Sequence, residues 1–144
     1  MRIIKFRGKC VPDSKYAGEW VKGGYAPLDE ESTSKNKGEG LIVVFLGGNC
    51  SCSYHVITET VGQFTGLHDK NGTEIYEGDI MVIETIKGKR MYSVKWNEKH
   101  MTFYIGNAPA TAYLCDGSKL HDYYVIGNIF DNPGLLKGGK DEDS

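Results

Sequence analysis

The sequence predicts a mainly β protein built from short strands and tight turns. Glycine accounts for 19 of the 144 residues, while proline accounts for only 4, a balance typical of turns rather than of disordered linkers. Aromatic residues make up 11% of the chain, which is enough to form a packed core. No window of about 11 residues or more has a helical period, so we expect at most one or two short helical turns.

The N-terminal part is expected to contribute strands and one long loop. The run 41–46 is continuously apolar and rich in β-branched residues, which predicts a strand buried on both faces or covered by a partner chain. Gly47-Gly48-Asn49 marks the turn that ends it. The segment 29–40 is polar throughout and is predicted to be a mobile loop. The other strands are expected at residues 3–7, 20–22 and 54–57.

The C-terminal part has the rhythm of a meander, with strands separated by short turns. Asp69-Lys70-Asn71-Gly72 is a predicted turn, because Asn-Gly accepts a positive φ at little cost. Closing a sheet of such strands hides their edges, so residues 75–130 are expected to form a small, strongly bent barrel of the SH3-like type. One helical turn is expected after Pro133. The predicted strands are 79–86, 90–97, 101–105 and 123–130.

We expect one structural unit with three segments along the chain. Residues 1–60 form an N-terminal β segment, residues 61–136 form the barrel core, and residues 137–144 form a disordered tail. Lys and Arg number 17 against 19 Asp and Glu, which gives a net charge of -2. This balance excludes a globally basic nucleic-acid binder but leaves room for a local basic patch.

The sequence predicts a cytoplasmic protein with free thiols and no metal or cofactor. The longest apolar run has six residues, far short of the ~20 that a membrane-spanning helix needs, and the first residues do not form a signal peptide. In a reducing compartment the four cysteines are expected to be free. Cys50-Ser51-Cys52 with His55 has ligand chemistry for zinc. Its spacing is too tight for a structural zinc site, however, and Cys115 with His121 is a poor second half.

Three segments of the chain resemble the YopX family of phage and prophage proteins. The run 61–80, with Gly-Gln-Phe-Thr-Gly-Leu-His-Asp-Lys-Asn-Gly at its centre, is similar to that family's signature. The opening at 2–7 and the closing run 124–136 resemble its two ends. The resemblance implies a small, β-rich, self-associating cytoplasmic protein of phage origin. It implies no activity, and it supplies no catalytic residues.

Polar side chains around the signature are the candidates for a pocket. Asp69 is expected to accept hydrogen bonds from the backbone of its own turn. Glu77 and Asp79 offer paired carboxylates for acid–base chemistry or for a divalent cation, because a two-residue spacing on an extended chain puts both on one face. Acids at the start of a strand more often line a solvated edge. The full candidate set is Gln63, Thr65, Asp69, Glu77 and Asp79.

A basic segment offers a second candidate site. Phosphate contacts from its cations and stacking on Tyr92 and Trp96 are the ingredients of a single-stranded nucleic-acid site. The preceding segment is acidic, so the two can also neutralise each other. Tyr92 and Trp96 share a face with Val94, which favours the core for both rings. The basic residues are Lys87, Lys89, Arg90, Lys95 and Lys99.

Three functions follow from these observations. The leading hypothesis is a non-enzymatic accessory module that forms a homo-oligomer and binds a phage or host protein, with 41–46 in its interface. The alternative is single-stranded nucleic-acid binding through the basic hairpin 87–99. An enzyme that uses Glu77 and Asp79 is the weakest of the three. No membrane association is expected.

Overall fold

The computed structural model describes residues 3–28, 38–86, 88–105, 112–113 and 123–138. The chain forms two compact units, residues 1–64 and residues 65–144. Strands dominate both, so the predicted mainly β fold is confirmed. The predicted loop 29–40 lies mostly outside the described residues, as do Lys87, Cys115, His121 and residues 139–144 of the predicted tail.

The strands of the first unit pair antiparallel in the order β4-β3-β2-β1-β5, which forms the first part of a six-stranded sheet that ends with β6. The chain just after β1 returns to β4, where Cys10 forms an antiparallel bridge with Val56. The amide of Val11 donates a hydrogen bond to the carbonyl oxygen of His55 at 3.1 Å. A 3-10 turn spans Thr58–Thr60. The strands are β1 (Phe6–Lys9), β2 (Trp20–Pro27), β3 (Glu39–Gly47), β4 (Cys50–Ile57) and β5 (Gly62–His68), within which the division between the units falls.

Glycines allow the strands of the first unit to approach closely. A Cβ atom at Gly23 would collide with the carbonyl oxygen of Val43, and one at Gly40 would lie 2.6 Å from the Tyr25 ring. The predicted second strand, 20–22, therefore does not stop at Gly23, which is a place of close packing inside β2. The core consists of Cys10, Ile42 and Val56, surrounded by Phe6, Tyr16, Val21, Tyr25, Val44, Tyr54 and Val61.

The second unit contains the predicted meander. Strand β8 pairs with β7 and β9, and β11 pairs with the other side of β7. The strand order is β10-β9-β8-β7-β11, so this sheet is open among the described residues and the expected closure into a barrel is not seen there. Its elements are β6 (Glu74–Tyr76), β7 (Asp79–Thr85), β8 (Gly88–Asn97), β9 (Thr102–Ile105), β10 (Ala112–Tyr113), β11 (Tyr123–Asn128) and the short helix α1 (Gly134–Gly138).

The largest core cluster of the second unit lies on one face of this sheet, and Ile80 and Val82 of β7 are buried on the other face. Tyr92 packs against the core beside Val94, as the alternation predicts, and Trp96 meets Phe103 edge to face at 4.9 Å between ring centroids. The core residues are Ile75, Met81, Val94, Phe103 and Ile105, with Leu67, Tyr92, Tyr123 and Val125 against them. Across the described residues, no helix is long and apolar enough to cross a membrane.

Candidate functional site

Asp69 is a structural carboxylate that joins two distant parts of the second unit. Its Oδ1 accepts hydrogen bonds from the amides of Asn71 at 2.8 Å and Thr73 at 2.9 Å. Its Oδ2 accepts a third from the amide of Val125 on β11, 56 residues away, at 2.8 Å. Three amides thus surround one buried carboxylate. This arrangement fixes the turn and the start of β11 together.

Asp79 and Glu77 differ in their surroundings. Asp79 is only 1% exposed, and its Oδ2 accepts a hydrogen bond from the amide of Tyr76 at 2.7 Å, which closes the turn before β7. Glu77 is half-buried, and burial raises the pKa of its carboxyl group above the ordinary value. Gly78 between them has a φ of 91°, so the chain turns there. The extended spacing that would put both acids on one face is absent.

The remaining pocket candidates also belong to the backbone framework. The Thr65 hydroxyl donates to the carbonyl oxygen of Ile75 at 2.8 Å and accepts from the amide of Leu67 at 3.2 Å. Gln63 lies in the first unit, where it pairs with Phe6 of β1. None of the five candidates lines the depression of about 500 Å³ bordered by Gly38, Ile57, Thr58 and Glu59.

The basic segment splits between the two faces of β8. Lys89 and Lys95 lie on one face of β8, and Arg90 and Trp96 lie on the other, because side chains alternate along a strand. The Nζ atom of Lys89 lies 3.5 Å from a carboxylate oxygen of Glu84, its cross-strand partner. This contact is the neutralisation between acidic and basic segments that the sequence allows. Trp96 remains 37% exposed.

Glu84 is the centre of a polar network on the surface of the second unit. The Tyr124 hydroxyl donates to its Oε1 at 3.1 Å, and this bond, together with the Lys89 ammonium, lowers the pKa of Glu84. Lys70 stacks over the Tyr124 ring at 4.6 Å. Tyr124, though exposed in part, is thus occupied by its neighbours rather than open for base stacking.

Among the described residues of the first unit, large apolar side chains are exposed at the β3–β4 hairpin end and at Ile3 and Ile4 near the N-terminus. The prediction that 41–46 is buried on both faces is wrong within this chain, because only Ile42 of that run is buried. Phe45 is 80% exposed and Leu46 is 63% exposed. Ile42 and Val44 share one face of the strand and pack against the core of Cys10 and Val56. The second alternative, cover by a partner chain, remains a prediction.

The thiols of the first unit are unbridged. Among the described cysteines, Cys10 is buried, Cys52 is half-buried and Cys50 is exposed, and none forms a disulfide. Burial raises the pKa of the Cys10 thiol. The described residues contain no group of three or more His, Cys, Asp or Glu side chains placed to hold a metal ion. Cys115 and His121, the other two residues considered for a zinc site, lie outside the described residues.

The chain is a small, mainly β protein in which glycines with positive φ and the buried carboxylates of Asp69 and Asp79 fix several turns. The family model described as YopX protein matches residues 13–137. The chain therefore belongs to the YopX family, as the resemblance indicated. It is similar to the crystal structure of protein EF1440 from Enterococcus faecalis, with 25% identity, a TM-score of 0.58, and coverage of 94% of this chain and 99% of that chain. A search of curated sequences finds no match.

The feature that sequence reasoning missed is the outer edge of β4. We expected a strand only at 54–57, but β4 begins at Cys50 and stands at the end of its sheet. A signal was present in Cys50-Ser51-Cys52-Ser53, a run of small uncharged residues directly after a Gly-Gly-Asn turn. Such a run is compatible with the second strand of a hairpin.

Proposed function

We propose that this YopX-family chain is a non-enzymatic, self-associating module that binds another protein of the phage or its host in the cytoplasm. The observation that supports the proposal most directly is the uncovered pair Phe45 and Leu46 at the β3–β4 hairpin end. Adjacent large apolar side chains on a protein surface mark an interaction site more often than isolated ones do. The resemblance to phage and prophage proteins is the reason that the proposal includes a phage origin.

The local chemistry also favours binding over catalysis. The carboxylates of Asp69 and Asp79 accept hydrogen bonds from backbone amides, so each has a structural task. Glu77 is half-buried with a raised pKa, as a general acid needs, but it lies across a turn from Asp79 rather than beside it on an extended strand. A binding role does not require a second catalytic group beside Glu77.

The test is sedimentation velocity on the full chain and on a variant with Phe45→Ser and Leu46→Ser. We expect the wild type to form an oligomer at micromolar concentration and the double variant to self-associate more weakly. Ile86→Ser is the matched control, because Ile86 in the second unit is 107% exposed and lies outside the hairpin. A wild type that stays monomeric contradicts self-association.

Single-stranded nucleic-acid binding through 87–99 is the alternative. The exposed part of Trp96 and the nearby cations favour it. The pairing of Lys89 with Glu84 weighs against it. If it operates, binding to a single-stranded oligonucleotide weakens steeply with salt, and Trp96→Ala lowers affinity at every salt concentration without changing the slope.

A further inference from the structure

The outer edge of β4 is open where the strand leaves the hairpin turn. β4 lies at the end of its sheet and pairs with β3 on its inner side only. On its outer side, the C-terminal half of β4 is paired with Cys10 and Val11. Cys10 forms a bridge with Val56, and the amide of Val11 donates a hydrogen bond to His55. For residues 50–54, no described segment supplies a backbone partner on that side. An open strand edge is a template for another strand.

The hydrogen bond at His55 shows which backbone groups this edge offers. The His55 carbonyl points outward, because it accepts from Val11 rather than from β3. Peptide groups alternate in direction along a strand, so Ser53 and Ser51 also direct their amide and carbonyl groups outward. Cys52 and Tyr54 direct theirs toward β3. The open edge therefore presents two donors and two acceptors, all on serine residues.

The side chains of this segment suit an identical strand. Residues 50–54 carry no charge, so two copies placed side by side have no like charges to repel. Ser51 and Ser53 are exposed and small, which allows close approach. An antiparallel strand pair about a two-fold axis forms every off-axis contact twice. A short edge therefore contributes twice as many hydrogen bonds to a symmetric homodimer as its own length suggests. The partner favoured by these features is a second copy of the chain.

We propose that β4 pairs antiparallel with β4 of a second copy, with Cys52 on the two-fold axis. The inference rests on the proposed self-association and specifies the strand and register through which it occurs. With the axis at Cys52, Ser51 of each copy faces Ser53 of the other, and all four outward groups of each copy are used. This makes four hydrogen bonds across the interface.

Other registers satisfy fewer groups. An axis at Ser53 would place Ser51 opposite His55, whose carbonyl already accepts from Val11. An axis at Ser51 would place Ser53 opposite Asn49, which lies in the hairpin turn. Only the axis at Cys52 lets both Ser51 and Ser53 form interface hydrogen bonds without requiring one from His55 or Asn49.

The register has a chemical consequence at Cys52. With Cys52 on the axis, the Cys52 residues of the two copies lie directly opposite each other as a non-hydrogen-bonded pair. The Cα atoms of such a pair are about 4.5 Å apart. That separation is within the range that a disulfide accepts, about 4.4–6.8 Å. Cys52 is half-buried and free in the single chain. A mild added oxidant should therefore join two copies through Cys52.

The experiment uses the full chain with Cys50→Ser and Cys115→Ser, so that Cys52 is the only cysteine left outside the buried Cys10. We expect the added oxidant to yield a covalent dimer, and we expect Cys52→Ser in the same background to abolish it. Ser53→Pro is the blocking variant, since it removes an outward amide and no bond to β3. It should weaken dimerisation by at least about tenfold, because symmetry removes two hydrogen bonds at once.

Ser53→Ala is the matched control, because it keeps the amide and should dimerise like the wild type. Circular dichroism must show that Ser53→Pro retains its strands. An oligomer that survives Ser53→Pro and does not cross-link at Cys52 overturns the β4 pairing and leaves the proposed self-association intact. A wild type that is monomeric throughout the micromolar range overturns both. Cross-linking at Cys52 that Ser53→Pro abolishes supports both.

Discussion

The two units hold their strands in place by opposite means. In the first unit, missing side chains allow close approach, since Gly23 and Gly40 lie where a Cβ atom would collide with a neighbouring strand or ring. In the second unit, added polar groups fix the turns, since Asp69 and Asp79 bind backbone amides from inside the protein. The first device depends on shape and the second on charge and hydrogen bonding. We therefore expect the first unit to be destabilised by adding a side chain at a glycine and the second unit by removing a carboxylate.

The largest effect is expected for Gly23→Ala in the first unit. The new methyl group would overlap the Val43 carbonyl oxygen, a backbone atom that cannot rotate away. Strands β2 and β3 would have to separate, which should lower the free energy of unfolding by about 3 kcal/mol or more. Chemical denaturation of the full chain measures this change.

Gly24→Ala is the matched control for this substitution. A Cβ atom at Gly24 meets nothing within 4 Å, so its effect should stay within about 0.5 kcal/mol. Equal effects at the two glycines would mean that strand propensity, rather than close approach, governs the first unit.

The next effect is expected for Asp69→Ala in the second unit. It leaves three amides without their acceptor, including that of Val125 on β11. Hydrogen bonds to charged groups are worth about 1.5–3 kcal/mol each, but water can reach part of the opened turn, so we expect a loss of about 2–3 kcal/mol. Asp69→Asn keeps one acceptor oxygen and should lose less. If both variants melt like the wild type, the carboxylate does not join the turn to β11.

The sequence predicted one half of the Asp69 arrangement and could not predict the other. The bond to Asn71 follows from local turn chemistry, because Asp commonly accepts a hydrogen bond from the amide two residues ahead, and the bond to Thr73 lies in the same turn. The bond to Val125 depends on folding across 56 residues, and no local pattern encodes it. Likewise, the alternation of β8 predicted that Tyr92 packs against the core. Whether an apolar run such as 41–46 is covered depends on its neighbours, so its exposure required the structure.

The smallest effect concerns a single acid in the second unit and has a defined pH dependence. Burial raises the pKa of Glu77 above 4.5 in the folded protein. The stability that Glu77 contributes is therefore present below pH 4.5 and lost as the pH rises through its raised pKa. Glu77→Gln should match the wild type in acid and melt higher at pH 7. Because Glu77 is only half-buried, solvent screening limits the gain to about 1–2 °C.

Glu84→Gln provides the opposite sign in the same unit. The hydrogen bond from Tyr124 and the charge of Lys89 lower the pKa of Glu84, so its contribution is present above pH 4.5 and lost as the pH falls through the lowered pKa. This variant should melt lower than the wild type at pH 7, and added salt should reduce the difference because the pair is exposed. Melting curves between pH 3 and pH 8 measure both variants. Shifts of the same sign at pH 7 would contradict the assignment of Glu77 to burial and of Glu84 to its hydrogen bond and ion pair.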